Sequence, residues 1–404
     1  MNSIRSAVYP YMEEIPNPSK THSVCVSCGD ISPEREGQTT IGCIASKYKM
    51  YVLGNLIESV PCDSRLDSLC PSDGHYQYNT NIVYDPQGCL IAKYHKYHLF
   101  EDEVEMLDTP VEPEYVYFDT DYGRFGTVIC ADGLYEYPAI SLVEKYNIDH
   151  LLFPTFWIPN GLAFTTAVEF QLSLATVANV NLIAANVHST PDFTFGSSIL
   201  SGSKIVNFTA DYKSTDGTLL VGDLPTSRPK SSAQIYLGGD NLPSKSATTA
   251  TAVIFGDAYN VVVLDNLAGN TQVCQNSLCC TLNYRRNNTD ETYILGAFKG
   301  VHSFEVKMSL EACLVYKCQT EDLSSCAKPE SSSTTKFSTL ELSANFTVPH
   351  IYPCLSPSNF AYDRLNWSIK HTDVNFSRIL TSTSDWPMVN IALVGRDFSH
   401  DPPL

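Results

Sequence analysis

A thiol, a lysine and a short acidic run carry the chemistry this sequence offers. In "RFGTVICADGLYEYPA", residues 124–139, an apolar run ends on Cys130, which precedes a small residue, an acid, a glycine and a segment with helical spacing. A thiol where a strand hands over to a helix could be half of a disulfide, an inert core residue, or a nucleophile held up into a cleft. The nucleophile needs partial exposure and nearby positive charge to ionise. Amides at a helix start favour the anion. The end of a central buried strand is also a poor place for a crosslink.

The second segment is "YHKYHLF", residues 94–100, with His95, Lys96 and His98 set among aromatic and aliphatic residues. It reads as a solvated basic turn, or as a lysine that donates hydrogen bonds to an oxyanion near the thiol. A metal held by His95 and His98 lacks further ligands at a diagnostic spacing, so neither metal nor cofactor is expected. The acidic run "EDEVE" (101–105) follows at once. It is a charged loop, or it supplies a carboxylate, Glu103 among them, that steers the lysine or a water.

Elements of an α/β sheet would have to position these groups. Residues 124–130 read as a strand, 133–146 as a helix with Pro138 near its start, and "HLLF" (150–153) as a buried strand. "AFTTAVEFQLSLATVANV" (163–180) reads as a long amphipathic helix and "LIAANV" (182–187) as the next strand. The βαβαβ rhythm suits a sheet with covered faces. Upstream, 50–57, 80–84 and 88–93 read as strands, with "DPQG" as a turn between the last two. After about residue 225 the texture changes to Pro/Ser/Thr-rich connections and then β-leaning runs such as "NVVVLDNL" and "TYILGAF". Residues 1–235 therefore form one domain and 240–404 a second, mainly β domain supported by disulfides.

The chain has 404 residues, enough for two domains with ample cores. Its hydrophobic fraction of 43% makes it globular, and its formal charge of −18 argues against nucleic acid or an anionic membrane surface as partner. No window approaches the ~18 apolar residues of a membrane helix. Neither "MNSIRSAVYPYMEE" nor "GRDFSHDPPL" reads as a secretion or lipid-anchor signal. The 14 cysteines point the other way. Several form close pairs, Cys62 with Cys70 in particular, while Cys25 and Cys28 read as structural. Five N-x-[ST] sequons, at Asn207, Asn287, Asn345, Asn366 and Asn375, add to the case for a secretory, oxidising compartment.

The order of "YHKYHLF", "GRFGTVICADGLYEYPA", "LLFPTFWIPN" and "AANVH" resembles the carbon–nitrogen hydrolase (nitrilase) superfamily. "YPYMEEIPNP", "PCDSRLDSLCPSDGHYQYNTNIVYDPQG", "AVEFQLS", "VCQNSLCC", "LGAFKGVHS" and "ALVGRDF" resemble its vanin and biotinidase branch, nearly end to end. The resemblance implies a four-layer αββα domain followed by a β-rich base domain. It also implies amide hydrolysis through a cysteine thioester, with a Glu–Lys–Cys triad. Carried over by position, Cys130 is the nucleophile, Lys96 the oxyanion lysine and Glu103 the auxiliary glutamate. Trp157 and His188 fall near the substrate end of the cleft, where a packing aromatic and an ordinary hydrogen-bonded histidine are equal readings.

The same resemblance places a general-base glutamate in a "PE(D/H)xxYG"-like segment upstream of "SAVYPYMEEIP". Glu13, Glu14 and Glu34 do not match it. The expectation is therefore an N-terminally truncated sequence that has lost the base, the first strand, helix and second strand, and a signal peptide. Such a chain would be marginal and prone to aggregate through exposed sheet edges, and Cys130 would depend on Lys96 to form thiolate. Three functions follow: a secreted amidase splitting pantetheine into pantothenate and cysteamine, a biotinidase-like amidase acting on biocytin, or a non-catalytic secreted glycoprotein that binds a partner.

Overall fold

A computed structural model describes residues 4–18, 24–29, 33–158, 166–192, 194–229, 249–303, 306–328, 330–371 and 377–402. The expected domain boundary at 235–240 and the sequon at Asn375 lie outside them. The chain divides into two compact units. The first comprises Met1–Phe156, Val180–Ala185 and Pro225–Arg228; the second comprises Trp157–Asn179, Asn186–Leu224 and Pro229–Leu404.

In the first unit a short helix α1 (Ile4–Val8) precedes α2 (Glu36–Tyr48). Strands β1 (Val52–Pro61), β2 (His75–Tyr84) and β3 (Leu90–His95) then form an antiparallel sheet in that order. The β2–β3 turn is set by its residues. Asp85 Oδ1 accepts from the amides of Gln87 and Cys89, and Gly88 takes φ +80°, which a side chain would oppose. Ile41 and Ala45 of α2 pack with Ile82, Tyr84 and Leu90 on one face of this sheet. Glu13 accepts from the Gly37 and Gln38 amides at the start of α2, so its carboxylate anchors that helix.

The other face meets a second, mixed sheet. After α3 (Glu103–Met106) come β4 (Tyr117–Thr120), β5 (Gly123–Thr127), α4 (Ser141–Tyr146), β6 (His150–Thr155) and, beyond α5 (Ala167–Ala178), β7 (Asn181–Asn186). β4 and β5 are antiparallel, whereas β5 and β6 run parallel, as a strand–helix–strand crossover requires. Val83 and Ala92 of one sheet cluster with Phe118 of the other, with Leu53, Phe125 and Leu152 alongside. Asn81 ties the sheets by donating to Thr127 Oγ1 at 2.7 Å. Gly126 leaves room for Ile148 and Leu142 from the α4 side. The result is the layered helix–sheet–sheet–helix arrangement that the sequence leads one to expect.

The structure shifts two expectations. β5 stops at Thr127, and Cys130 opens a 3-10 turn (Cys130–Leu134) instead of ending the strand. The helix read over 133–146 is broken: Tyr137 is extended and Pro138 lacks an amide hydrogen, so regular helix starts only at Ser141.

Among the described residues the second unit contains α5, the hairpin β8 (Ser197–Ser201) and β9 (Lys204–Thr209), and eleven further strands. These are β10 (Ala250–Ile254), β11 (Asp257–Val263), β12 (Ala268–Gln275), β13 (Leu278–Arg286), β14 (Tyr293–His302), β15 (Met308–Lys317), β16 (Phe337–Asn345), β17 (His350–Pro357), β18 (Trp367–His371), β19 (Ser377–Ser382) and β20 (Met388–Arg396). They form a six-stranded sheet, β10-β11-β14-β15-β20-β17, and a five-stranded one, β12-β13-β16-β19-β18. Alternate residues of both fill a shared core that includes Leu282, Leu295, Val315, Leu342, Leu380 and Leu393. Cys280 of β13 and Cys313 of β15 cross-link the two sheets.

α5 is not amphipathic in the expected sense, because its polar residues are buried too. Glu169, Gln171 and Ser173 take hydrogen bonds with Asn390, with Gly196 and Ser198, and with the Pro353 carbonyl, so each of the three buried side chains has a protein partner.

The disulfides are Cys25–Cys89, Cys28–Cys43, Cys62–Cys70, Cys274–Cys279, Cys280–Cys313 and Cys318–Cys326. Six crosslinks fit an oxidising compartment. Cys130 and Cys354 carry free thiols. No helix among the described residues is long and apolar enough to cross a membrane.

Candidate active site

Cys130 sits half-buried at φ +46°, a left-handed conformation that costs a non-glycine residue roughly 1–2 kcal/mol. Its Sγ lies 3.6 Å from the Phe156 carbonyl at the end of β6. The turn is held from inside by Asp132, which is fully buried. One oxygen of Asp132 accepts from the Ile129 amide at 3.0 Å and from the Tyr94 hydroxyl at 2.7 Å. The other accepts from the His98 amide at 2.9 Å and from His98 Nδ1 at 3.1 Å. An ionised carboxylate only accepts, so Nδ1 of His98 carries a proton. Burial and the Asp132 charge push the Tyr94 phenol well above its ordinary range. Tyr135, just past the turn, stacks on the His98 ring with centroids 3.8 Å apart.

These contacts bring the lysine segment to the thiol turn. Tyr94 and His98 are both bound to Asp132, and Lys96 lies between them. Lys96 is 2% exposed although it is a lysine, and its ammonium pairs with Glu103 Oε2. The same oxygen accepts from the Phe100 amide at 2.9 Å, and Oε1 accepts from Asn79 Nδ2 at 2.8 Å. A buried lysine needs such a partner. The Lys96–Glu103 pair and the Cys130 turn are thus related through the chain, because Tyr94 and His98, on either side of Lys96, both bind Asp132. Cys130, Lys96 and Glu103 were singled out in the sequence, whereas Tyr94, His98, Asp132 and Asn79 were not as parts of this arrangement.

Residues 31–175 match the carbon–nitrogen hydrolase family and residues 249–401 the vanin C-terminal domain. The chain is 35% identical to the pantetheinase of Sus scrofa over 405 residues, covering 98% of this chain and 77% of that protein. It is 35% identical to the pantetheinase of Homo sapiens, covering 99% of this chain and 78% of that one. The chain belongs to the vanin family of carbon–nitrogen hydrolases. The biotinidase of Takifugu rubripes is more distant, at 29% over 90% of this chain and 76% of its own length. This vanin-family protein is accordingly a hydrolase of amide carbon–nitrogen bonds.

Trp157 and His188 lie in the second unit. Trp157 is buried, stacks on Phe170 at 4.1 Å, and donates its backbone amide to Asn186 Oδ1. Its indole N–H has no partner among the described residues. His188 is half-buried and donates Nε2–H to the Ser214 carbonyl at 2.6 Å. Of the sequons, Asn287, Asn345 and Asn366 are exposed, whereas Asn207 is half-buried with its amide on the Val221 carbonyl.

A cluster that the sequence reading did not assemble lies on the opposite face of β3, whose alternate residues Lys93 and His95 point away from Tyr94 and Lys96. Glu58, 1% exposed, accepts from Lys93 at 2.6 Å and from His95 Nε2 at 2.8 Å, while His95 Nδ1 reaches Glu114 at 2.9 Å. With Glu14 and Arg35 the cluster lines a cavity of about 740 Å³ that does not include Cys130. Burial alone would lower the His95 pKa, but hydrogen bonds and charge from Glu114 and Glu58 raise it above 6.5. Burial would likewise raise Glu114, yet His95 holds it below 4.5.

The linkage has a definite sign. The His95 contribution to stability is complete below about pH 6.5 and is lost as pH rises through its raised folded value. The Glu114 contribution is complete above about pH 4.5 and is lost as pH falls through its depressed value. Thermal unfolding of the protein and of His95→Gln, followed across pH, should therefore show the largest gap in melting temperature between about pH 4.5 and 6.5. A gap that is constant with pH would show that the ion cluster is not charged as described.

Proposed function

We propose that this protein cleaves a linear carboxamide through a thioester on Cys130, with pantetheine as the leading substrate and pantothenate and cysteamine as the products. The observation that carries the reading is the buried Lys96–Glu103 pair, tied through Tyr94, His98 and Asp132 to a turn that presents a free thiol. Pantetheinases at 35% identity over nearly the whole chain support the substrate.

In this reading the Cys130 thiolate attacks the amide carbonyl, forming the S–C bond, and Lys96 donates to the oxyanion. Glu103 holds the ammonium in place. Solvent water takes the thiol's proton and returns it to the amide nitrogen, so the C–N bond breaks and the amine leaves neutral. Water attacks the thioester, releasing the carboxylic acid and restoring the thiol. The six disulfides and the exposed sequons support a secreted glycoprotein.

The test is incubation with pantetheine and, separately, with biocytin. Cysteamine or lysine release would be measured, together with intact mass after acid quenching. Cysteamine and an acylated Cys130 peptide are expected from pantetheine. Biotin and lysine alone would move the assignment to a biotinidase-like amidase, for which the 29% identical biotinidase is the supporting relative. No product and no adduct from either amide would overturn the enzyme reading and leave a binding glycoprotein.

A further inference from the structure

Asn79 holds Lys96 from both ends. Its backbone carbonyl accepts from the Lys96 amide at 2.8 Å, which fixes where the lysine leaves the sheet just past β3. Its side-chain Nδ2 donates at 2.8 Å to Glu103 Oε1, the oxygen that the Lys96 ammonium does not use. The amide can point only one way. Asn55 Nδ2 on the neighbouring strand donates at 2.7 Å to Asn79 Oδ1, so the NH₂ must face Glu103. Asn55 itself is held by the Thr80 carbonyl and by Asn81 Oδ1.

Besides Asn79, Glu103 takes two donors, the Lys96 ammonium and the Phe100 amide, both on Oε2. It stands at the start of α3, a helix of only four residues, and its side chain is about a fifth exposed. The Phe100 amide binds Oε2, the oxygen already facing Lys96. Without a donor on Oε1 the carboxylate could rotate about its last bond and exchange the ammonium for water. With Asn79 in place, Oε1 is occupied and Oε2 is directed at the lysine. A donor on an ionised carboxylate is also worth more than one between neutral groups.

We propose that Asn79 is a positioning residue for amide hydrolysis: acting through Glu103, it fixes the Lys96 ammonium where the oxyanion forms, with Asn55 setting the direction of its amide. The proposal rests on the assignment of Lys96 as the oxyanion donor. Asn79 need not touch substrate.

The experiment uses the full chain with ¹⁵N-labelled lysine, the Lys96 Nζ signal being identified by its loss in Lys96→Arg. Asn79→Ala removes the side-chain donor and keeps the backbone carbonyl that Lys96 binds. Exchange of the Lys96 ammonium protons with water should accelerate about tenfold, the scale of one lost charge-assisted hydrogen bond. For pantetheine turnover, kcat should fall about tenfold with KM within about twofold, since only the transition state develops the oxyanion. Asn55→Leu should move both readouts in the same direction by about two- to threefold, and it carries the test if Asn79→Ala does not reach a native melting transition. Unchanged exchange in the folded variants overturns the positioning role. Accelerated exchange in a parent protein that shows no turnover and no Cys130 adduct would confirm that Asn79 orients Lys96, and would place the failure in the hydrolase assignment. Accelerated exchange with kcat unchanged overturns the proposal, because the lysine's placement would then not matter to the reaction.

Discussion

Cys130→Ala is expected to abolish the acyl adduct and to lower amide hydrolysis by at least about a thousandfold while the protein stays folded. The thiol is half-buried, outside every disulfide, and its loss leaves only a small space beside the Phe156 carbonyl. Alanine meets the same left-handed strain as cysteine, so stability should be nearly unchanged. Cys130→Gly should be equally inactive yet more stable by about 1 kcal/mol, because glycine accepts a positive φ without penalty. A dead variant more stable than its parent would show that the turn's strain is kept for the thiol. The chemistry can be checked independently by alkylation under native conditions. Iodoacetamide should label Cys130 alone. Cys354 is fully buried, and burial pushes its thiol well above the usual range, so it should react only after unfolding. The other twelve cysteines are crosslinked. Recovery of Cys130 in a disulfide, or full hydrolysis by Cys130→Ala, would end its assignment as nucleophile.

How far the sequence went depended on whether a signal was local. β6 and the core of α5 follow from apolar runs with clear punctuation, and the "DPQG" turn from Asp85 and Gly88. Element ends slipped where a single residue's hydrogen bonding decided them. Pro138 interrupts a stretch whose spacing alone is helical, and β5 stops once its edge passes from strand pairing into the Asp132 turn. Lys96 and Cys130 entered as candidates through family resemblance, since neither position alone separates a catalytic group from a structural one. The side chains that join them were not. Asp132 reads as an ordinary turn residue, and its partners Tyr94 and His98 lie 38 and 34 positions away. Asn79 and Glu103 are 24 apart, and Glu58 and His95 are 37 apart. One sequence holds no pattern that pairs such positions. The pleat of β3, which sends Lys93 and His95 to one face and Tyr94 to the other, was the one available clue.

Asp132→Ala should produce the largest loss of stability in the first unit, about 3–5 kcal/mol, with a fall in melting temperature on the order of 10 °C. The carboxylate is fully buried and accepts four hydrogen bonds, and alanine offers no acceptor to any of the donors. The Tyr94 hydroxyl, both N–H groups of His98 and the Ile129 amide would be left facing a dry cavity, each costing about 1–3 kcal/mol before the site relaxes. Asp132→Asn separates stability from chemistry. It keeps the volume and one acceptor oxygen but turns an NH₂ toward two donors, so the turn should hold at a smaller cost while its two sides pull apart. Because Tyr94 and His98 flank Lys96, that distortion reaches the lysine and the thiol together. Asp132→Asn should therefore remain folded, with native disulfides, yet slow both Cys130 alkylation and thioester formation by about tenfold or more. Thermal unfolding and the alkylation rate, measured on both variants, decide the matter. If Asp132→Ala melts with the parent and Cys130 reacts at the parent's rate, the turn is held by something other than this carboxylate, and the link between Lys96 and Cys130 must run elsewhere.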